Sequence, residues 1–169
     1  MSQEPRALLL VGTMGSGKTT VMLELGRVLG ERGEPYALVD LDWLAWAEPS
    51  PASALGVHDV LVANLAAAAS TFRQAGVQRL VLARHLTRAD ELAGIEAALA
   101  GVELSVVRLD APAALLESRI RARDTGRELE EHLAELVAAT PPEFPHAVVA
   151  NDGRTAAAVA ADVLRTVGW

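Results

Sequence analysis

Cysteine is absent from the 169 residues, which excludes disulfides, zinc-thiolate sites, iron-sulfur clusters and thiol nucleophiles. Aromatic residues make up only 4% of the chain while alanine is abundant, so the helices are expected to pack through small side chains rather than around large rings. Positive charge is also scarce. The formal net charge is -7, which argues against a nonspecific nucleic-acid binder, since such a protein needs a basic stripe to displace counterions. No apolar run is long enough for a signal peptide or a membrane span, and a cytoplasmic protein acting without membrane or nucleic acid is expected. Lysine is nearly missing: of 15 basic residues, 14 are arginine and only Lys18 is lysine. A compact ammonium retained at one position alone marks a place where a planar guanidinium does not serve, as at a tight phosphate site.

What is present is enough for a core. Hydrophobic residues form 51% of the sequence and charged residues 22%, the balance of a globular chain, and the length suits one domain over 1–169. Residues 6–11 are a short apolar run bounded by Pro5 and Gly12, the pattern of a strand buried on both faces. A helix is expected over 18–30, a second strand over 36–41, an irregular or briefly helical stretch over 42–57 on the substrate side, and a helix over 58–75. A third strand over 78–83, a helix from an N-cap at Thr87 to about 100 and a fourth strand over 102–109 follow. Asp110 with Pro112 then reads as an acidic cap and early proline opening the next helix. Helices over 128–139 and 155–167 flank a fifth strand at 147–150. This alternation predicts an α/β fold of three layers, a five-stranded parallel sheet with helices on both faces. Ligands bind such sheets at the carboxyl ends of the strands.

At the first of those ends stands the phosphate-loop pattern G-x-x-x-x-G-K-[ST]: Gly12, Thr13, Met14, Gly15, Ser16, Gly17, Lys18 and Thr19, with Thr20 continuing into the helix. Backbone N–H groups converging at a helix N-terminus suit phosphate oxygens, Lys18 suits the outer phosphates, and Thr19 suits Mg²⁺. At the second end, Asp40 and Asp42 are expected on the same side of an extended strand, because the side-chain period there is two. One carboxylate would hold metal-bound water and the other would orient or deprotonate an acceptor hydroxyl. Capping of the following turn is the competing use of either acid.

These motifs, with the arginines of the segment 119–127, resemble the small-molecule kinases of the P-loop class, particularly shikimate kinase, adenylyl-sulfate kinase and chloramphenicol phosphotransferase. They are also similar to a group of short ATP-binding proteins sharing G-T-x-G-x-G-K-T-T and V-D-L-D-W-L. The resemblance implies ATP and Mg²⁺ as cofactors, Asp40 with the metal, Asp42 with the substrate, and either acid as base. It implies an arginine-rich lid at 119–127, with Arg119 near the adenine and Arg123 and Arg127 near the transferring phosphate, its turn eased by Gly126. It also implies that Arg154, in the run from Asn151, passes the adenine. Trp43, Trp46, Arg84 and His85 are candidates for the acceptor side. The triple glycine and Arg-Pro-Leu-Leu of shikimate kinase are missing, so shikimate is not the expected acceptor. The expected activity is transfer of the γ-phosphoryl group of ATP to a small hydroxylated or anionic acceptor by a monomer or homodimer. A nucleotide-binding regulatory module or ATPase without an acceptor is the competing function. The GTPase motifs D-x-x-G and N-K-x-D do not occur.

Overall fold

The computed structural model describes residues 4–169. Its centre is strand β1 (Arg6–Val11), buried from Ala7 to Val11. In chain order there follow α1 (Lys18–Glu31), β2 (Tyr36–Asp40), α2 (Leu41–Leu44), α3 (Val57–Gln74), β3 (Arg79–Arg84), α4 (Ala89–Ala98) and β4 (Glu103–Asp110). The chain ends with α5 (Ala113–Arg123), α6 (Gly126–Ala138), β5 (Ala147–Ala150) and α7 (Ala156–Val167). The five strands form one parallel sheet in the order β2-β3-β1-β4-β5. β1 lies between β3 and β4, with Leu9 opposite Leu82 on one side and Val106 on the other.

The strand pleat divides the core. Ala7, Leu9 and Val11 join Leu61 and Leu65 of α3 and Leu92 and Ile95 of α4 on one face. Leu8 and Leu10 join Val21 and Leu25 of α1 and Val159 and Val163 of α7 on the other. Because successive side chains of a strand leave on opposite faces, one uninterrupted apolar run serves both layers. Truncation of Leu8 or Leu9 to alanine should cost about 2–5 kcal/mol, as for other filled core sites. None of the described helices is long and apolar enough to cross a membrane.

Several details differ from the sequence expectations. β2 stops at Asp40, one residue early, and α2 begins at once with Asp40 as its N-cap, its carboxylate accepting from the Asp42 N–H. Asp110 does not cap α5. Pro112 occupies that position, while the Asp110 carboxylate pairs with Arg108 at 3.0 Å and its carbonyl accepts from the Asn151 N–H at 2.7 Å. Arg88, not Thr87, precedes α4. α6 starts at Gly126, whose φ of 57° begins it in a conformation that suits glycine.

Candidate functional site

The turn after β1 leads into α1 with Gly17 at the N-cap, φ 88°. A side chain at Gly17 would be strained at that φ, and its Cβ would sit 2.6 Å from the Asn151 side-chain nitrogen. A Cβ at Gly12 would meet the Leu109 carbonyl of β4 at 2.8 Å. The loop is thus pressed against the ends of β4 and β5, and no acidic residue occupies the first turn of α1. The positive end of that helix is left to an anionic ligand.

Three side chains brace the loop from outside it. Asn151, 6% exposed, donates from Nδ2 to the Ser16 carbonyl at 2.6 Å. Arg119 donates to the Gly15 carbonyl at 3.1 Å and to the Asn151 carbonyl at 3.0 Å, stapling the loop to the segment after β5. His85, whose Nδ1 lies 3.1 Å from the Gly12 carbonyl and donates to it, holds the loop's start. Lys18 folds back on its own loop, its Nζ donating to the carbonyls of Gly12 at 2.8 Å and Thr13 at 3.1 Å. Burial lowers its pKa to about 8, against the raising influence of Asp42 and Asp40.

A cleft of about 350 Å³ opens over this loop, lined by Met14, Gly15, Gly17, Lys18, Thr19 and Thr20 and by Arg119, Arg123, Asn151 and Arg154. A second cleft, of about 680 Å³, is lined by Asp40, Asp42, Trp43, Trp46, His85 and the α5–α6 residues Arg123, Asp124, Glu128, His132 and Glu135. The two clefts share Met14, Lys18, Thr19 and Arg123. A ligand spanning them would place its junction over the lysine.

Asp40 and Asp42 line the same cleft, but for a reason other than the strand pleat. Thr19 Oγ1 donates to Asp40 Oδ2 at 3.4 Å while Asp40 Oδ1 caps α2, and the single helical turn that follows carries Asp42 onto the same cleft. Packing against the cleft wall pushes the Asp42 carboxyl above its ordinary value, which Arg84 opposes and Asp40 reinforces. Arg84 sits behind Asp42, its side chain 14% exposed and its Nη1 3.8 Å from Asp42 Oδ1. It is not among the residues lining the cleft. Trp43 and Trp46 are 69% and 76% exposed, with ring centroids 4.8 Å apart at the cleft edge.

Of the arginine-rich segment, Arg119 and Arg123 reach the clefts and Arg127 does not. Arg127 lies on the outer face of α6, 89% exposed and paired with Glu131 at 2.6 Å. Arg154 lines the cleft over the loop, held by Asp162 at 2.6 Å. Sequence reasoning passed over Asp124 and His132, which the α5–α6 turn brings beside Arg123. It also passed over the bracing contact from Asn151 to Ser16.

A family model described as an AAA domain, AAA_18, matches residues 8–138. The chain belongs to this AAA domain family. Among solved structures, the AAA domain chain is similar to the crystal structure of APE1195, with a TM-score of 0.69, 17% identity, and coverage of 98% of this chain and 96% of that one. It is similar to the Mycobacterium tuberculosis APS kinase CysC in complex with AMPPNP and APS, with a TM-score of 0.67, 22% identity, and coverage of 98% and 99%. A gluconokinase from Sinorhizobium meliloti 1021 gives 0.62, 19%, and 98% and 93%. A search of curated proteins gives no match. The parallel sheet and flanking helices are therefore those of the P-loop NTPase-like fold.

The residues present fit a hard, oxygen-ligated cation next to nucleotide phosphates. The Thr19 hydroxyl and the Asp40 carboxylate lie within 3.4 Å of each other at the head of α1. No cluster of three or more metal-ligating side chains exists among the described residues, and Mg²⁺ at phosphate sites is held by one or two protein oxygens with phosphate and water.

Proposed function

We propose that this AAA domain chain is an ATP-dependent phosphotransferase that moves the γ-phosphoryl group to a small hydroxylated or anionic acceptor, in the cytoplasm and without nucleic acid or membrane. The observation that carries this reading is the meeting of two clefts at Lys18, Thr19 and Arg123, with the acid pair on the far side. A nucleotide switch has no use for a second cleft of about 680 Å³ opening on its terminal phosphate site. The kinase structures of similar fold are consistent with this assignment.

The division of labour follows from what each side chain is already doing. Loop N–H groups and the N-terminus of α1 bind the phosphates, and Lys18 exchanges its two carbonyl partners for phosphate oxygens. Thr19 and Asp40 would hold Mg²⁺, which when bound neutralises phosphate charge. Asp40 is engaged by Thr19 and by the cap of α2, so Asp42, whose ion partner Arg84 stands off at 3.8 Å, is the base. Its carboxylate takes the proton of the acceptor hydroxyl as the oxygen–phosphorus bond forms, and the electron pair of the broken bond leaves with ADP. Arg123 stabilises the charge spread over the transferring group. Trp43 and Trp46 offer a face against which the acceptor can lie.

The test is ADP release with Mg·ATP across a panel of sugar acids, nucleosides, amino alcohols and polyols. For whichever acceptor stimulates turnover, Asp42→Asn should lower the rate by about 10²–10⁴, the usual contribution of a positioned base, with Mg·ATP affinity retained. Asp40→Asn should instead weaken nucleotide affinity and Mg²⁺ dependence together. Wild-type transfer by both variants would make the pair structural, and no stimulation by any acceptor would favour the regulatory module or ATPase.

A further inference from the structure

Arg123 is held in place by residues that the phosphoryl-transfer scheme above does not use. Asp124 leaves α5 in extended backbone and is 6% exposed. Its carboxylate accepts from Arg123 Nε at 2.5 Å through Oδ1 and from Arg123 Nη2 at 2.7 Å through Oδ2. The same Oδ2 lies 2.7 Å from His132 Nδ1, on the second turn of α6. Arg123 Nη2 is also 3.4 Å from His132 Nδ1. Since both nitrogens converge on one carboxylate oxygen, His132 Nδ1 carries a proton and donates to Asp124 rather than accepting from the arginine. The hydrogen bonds from Arg123, foremost, and from His132 hold the Asp124 carboxyl far below its ordinary value.

We propose that Asp124 and His132 form a positioning pair that presets Arg123 for the transferring phosphoryl group. Hydrogen-bonding to Asp124 uses the Nε–H and one Nη2–H, which leaves three of the five guanidinium N–H groups, including both on Nη1, for ligand oxygens. A bidentate carboxylate fixes the plane of the guanidinium as well as its position. The arginine is 54% exposed, and without this hold its rotamer entropy would be lost at the moment of transfer rather than on folding. His132 ties the carboxylate to α6, whose inner side is made by the half-buried Leu129, Leu133 and Leu136. The docking of α6 and the aim of Arg123 thereby become one event. His132 acts through Asp124 and is a positioning residue.

This inference rests on the phosphotransferase reading, and its test needs no acceptor. Calorimetric titration with Mg·ADP, alone and with aluminium fluoride as a planar mimic of the transferring phosphoryl group, separates ground-state binding from binding of the transferring group. His132→Ala should weaken the fluoride complex on the order of tenfold, the scale on which loss of an orienting partner acts at charged sites, while leaving Mg·ADP affinity unchanged. His132→Asn, which keeps a donor near Nδ1, should restore most of it. In the Arg123→Ala background, His132→Ala should add nothing, because the partner it orients is gone. Asp124→Asn should match Arg123→Ala provided it melts as a folded protein; the two His132 variants decide the matter where it does not. Wild-type affinity in His132→Ala, an equal loss with Mg·ADP alone, or additive losses in the double variant would each overturn the proposal. Absence of any fluoride-dependent tightening in the unmutated protein would overturn the phosphoryl-transfer reading itself, and the proposal with it.

Discussion

Lys18 should take up a proton when Mg·ATP binds at alkaline pH. Free of ligand, its pKa is lowered from 10.5 to about 8, chiefly by burial. In the bound state its neighbours become phosphate oxygens, which favour the charged ammonium and move the pKa back toward its ordinary value. Near pH 9 the free protein then holds the lysine mostly neutral and the complex holds it mostly charged, so binding should draw in roughly 0.9 proton. Affinity should be flat below about pH 8 and fall about tenfold per pH unit above it, until the pKa of the complex is reached. Calorimetry at pH 9 in buffers of different ionisation enthalpy reads the proton directly. Equal heats in all buffers would refute the argument.

The same shift has a stability consequence with a definite sign. Below pH 8 the lysine is charged in both the folded and unfolded states, and the folded state bears the cost of burying it. Between about 8 and 10.5 the unfolded chain holds more protons than the folded one, so the lysine's contribution to stability rises with pH across that window. A shift of this size corresponds to roughly 3 kcal/mol at neutral pH. Lys18→Met keeps the aliphatic stem and removes the charge, so the ligand-free variant should melt several degrees above the parent at pH 7. It should also show no stabilisation by Mg·ATP. A ligand-free melting point at or below the parent's would show that the loop carbonyls of Gly12 and Thr13 fully compensate the buried charge.

Lys18→Arg should bind Mg·ATP more weakly than the parent, because the guanidinium is too broad for the loop; a thermal shift with ATP equal to the parent's would contradict the argument from the lone lysine. Asn151→Ala removes the buried donor to the Ser16 carbonyl and should cost about 1–3 kcal/mol, read by denaturant melting, with a matching loss of nucleotide affinity. Gly17→Ala, strained at a φ of 88° and placing a methyl 2.6 Å from Asn151 Nδ2, should cost about 1–3 kcal/mol and abolish the thermal shift with Mg·ATP. Hydrogen exchange over residues 119–138 should slow when a non-hydrolysable ATP analogue is added, since lids exclude water before transfer; unchanged exchange would make α5 and α6 a fixed wall.

The elements of this fold were legible because their signals are local. Residues 6–11, an apolar run bounded by Pro5 and Gly12, carry the pattern of a strand buried on both faces, and Gly12 to Thr19 carries its own spacing. The order of strands is not local, and nothing in the chain states that β3 and not β2 lies beside β1. The acid pair was legible as a pair but for the wrong reason. The period of two presumed a strand running to Leu41, whereas the affinity of the Asp40 carboxylate for the Asp42 N–H ends it and starts a helix. Within the arginine segment, composition alone could not separate the residues that reach the clefts from Arg127. That separation depends on where α5 stops and on the angle at which α6 leaves Gly126. Nor could it single out His132, eight residues beyond Asp124 in a run of glutamates and leucines. A carboxylate that bonds an arginine on its own helix end and a histidine on the next helix exists only after both helices have packed. Such pairs are specified by tertiary geometry, so a phosphate-binding loop can be read from a sequence while the residues that aim an arginine at its phosphate cannot.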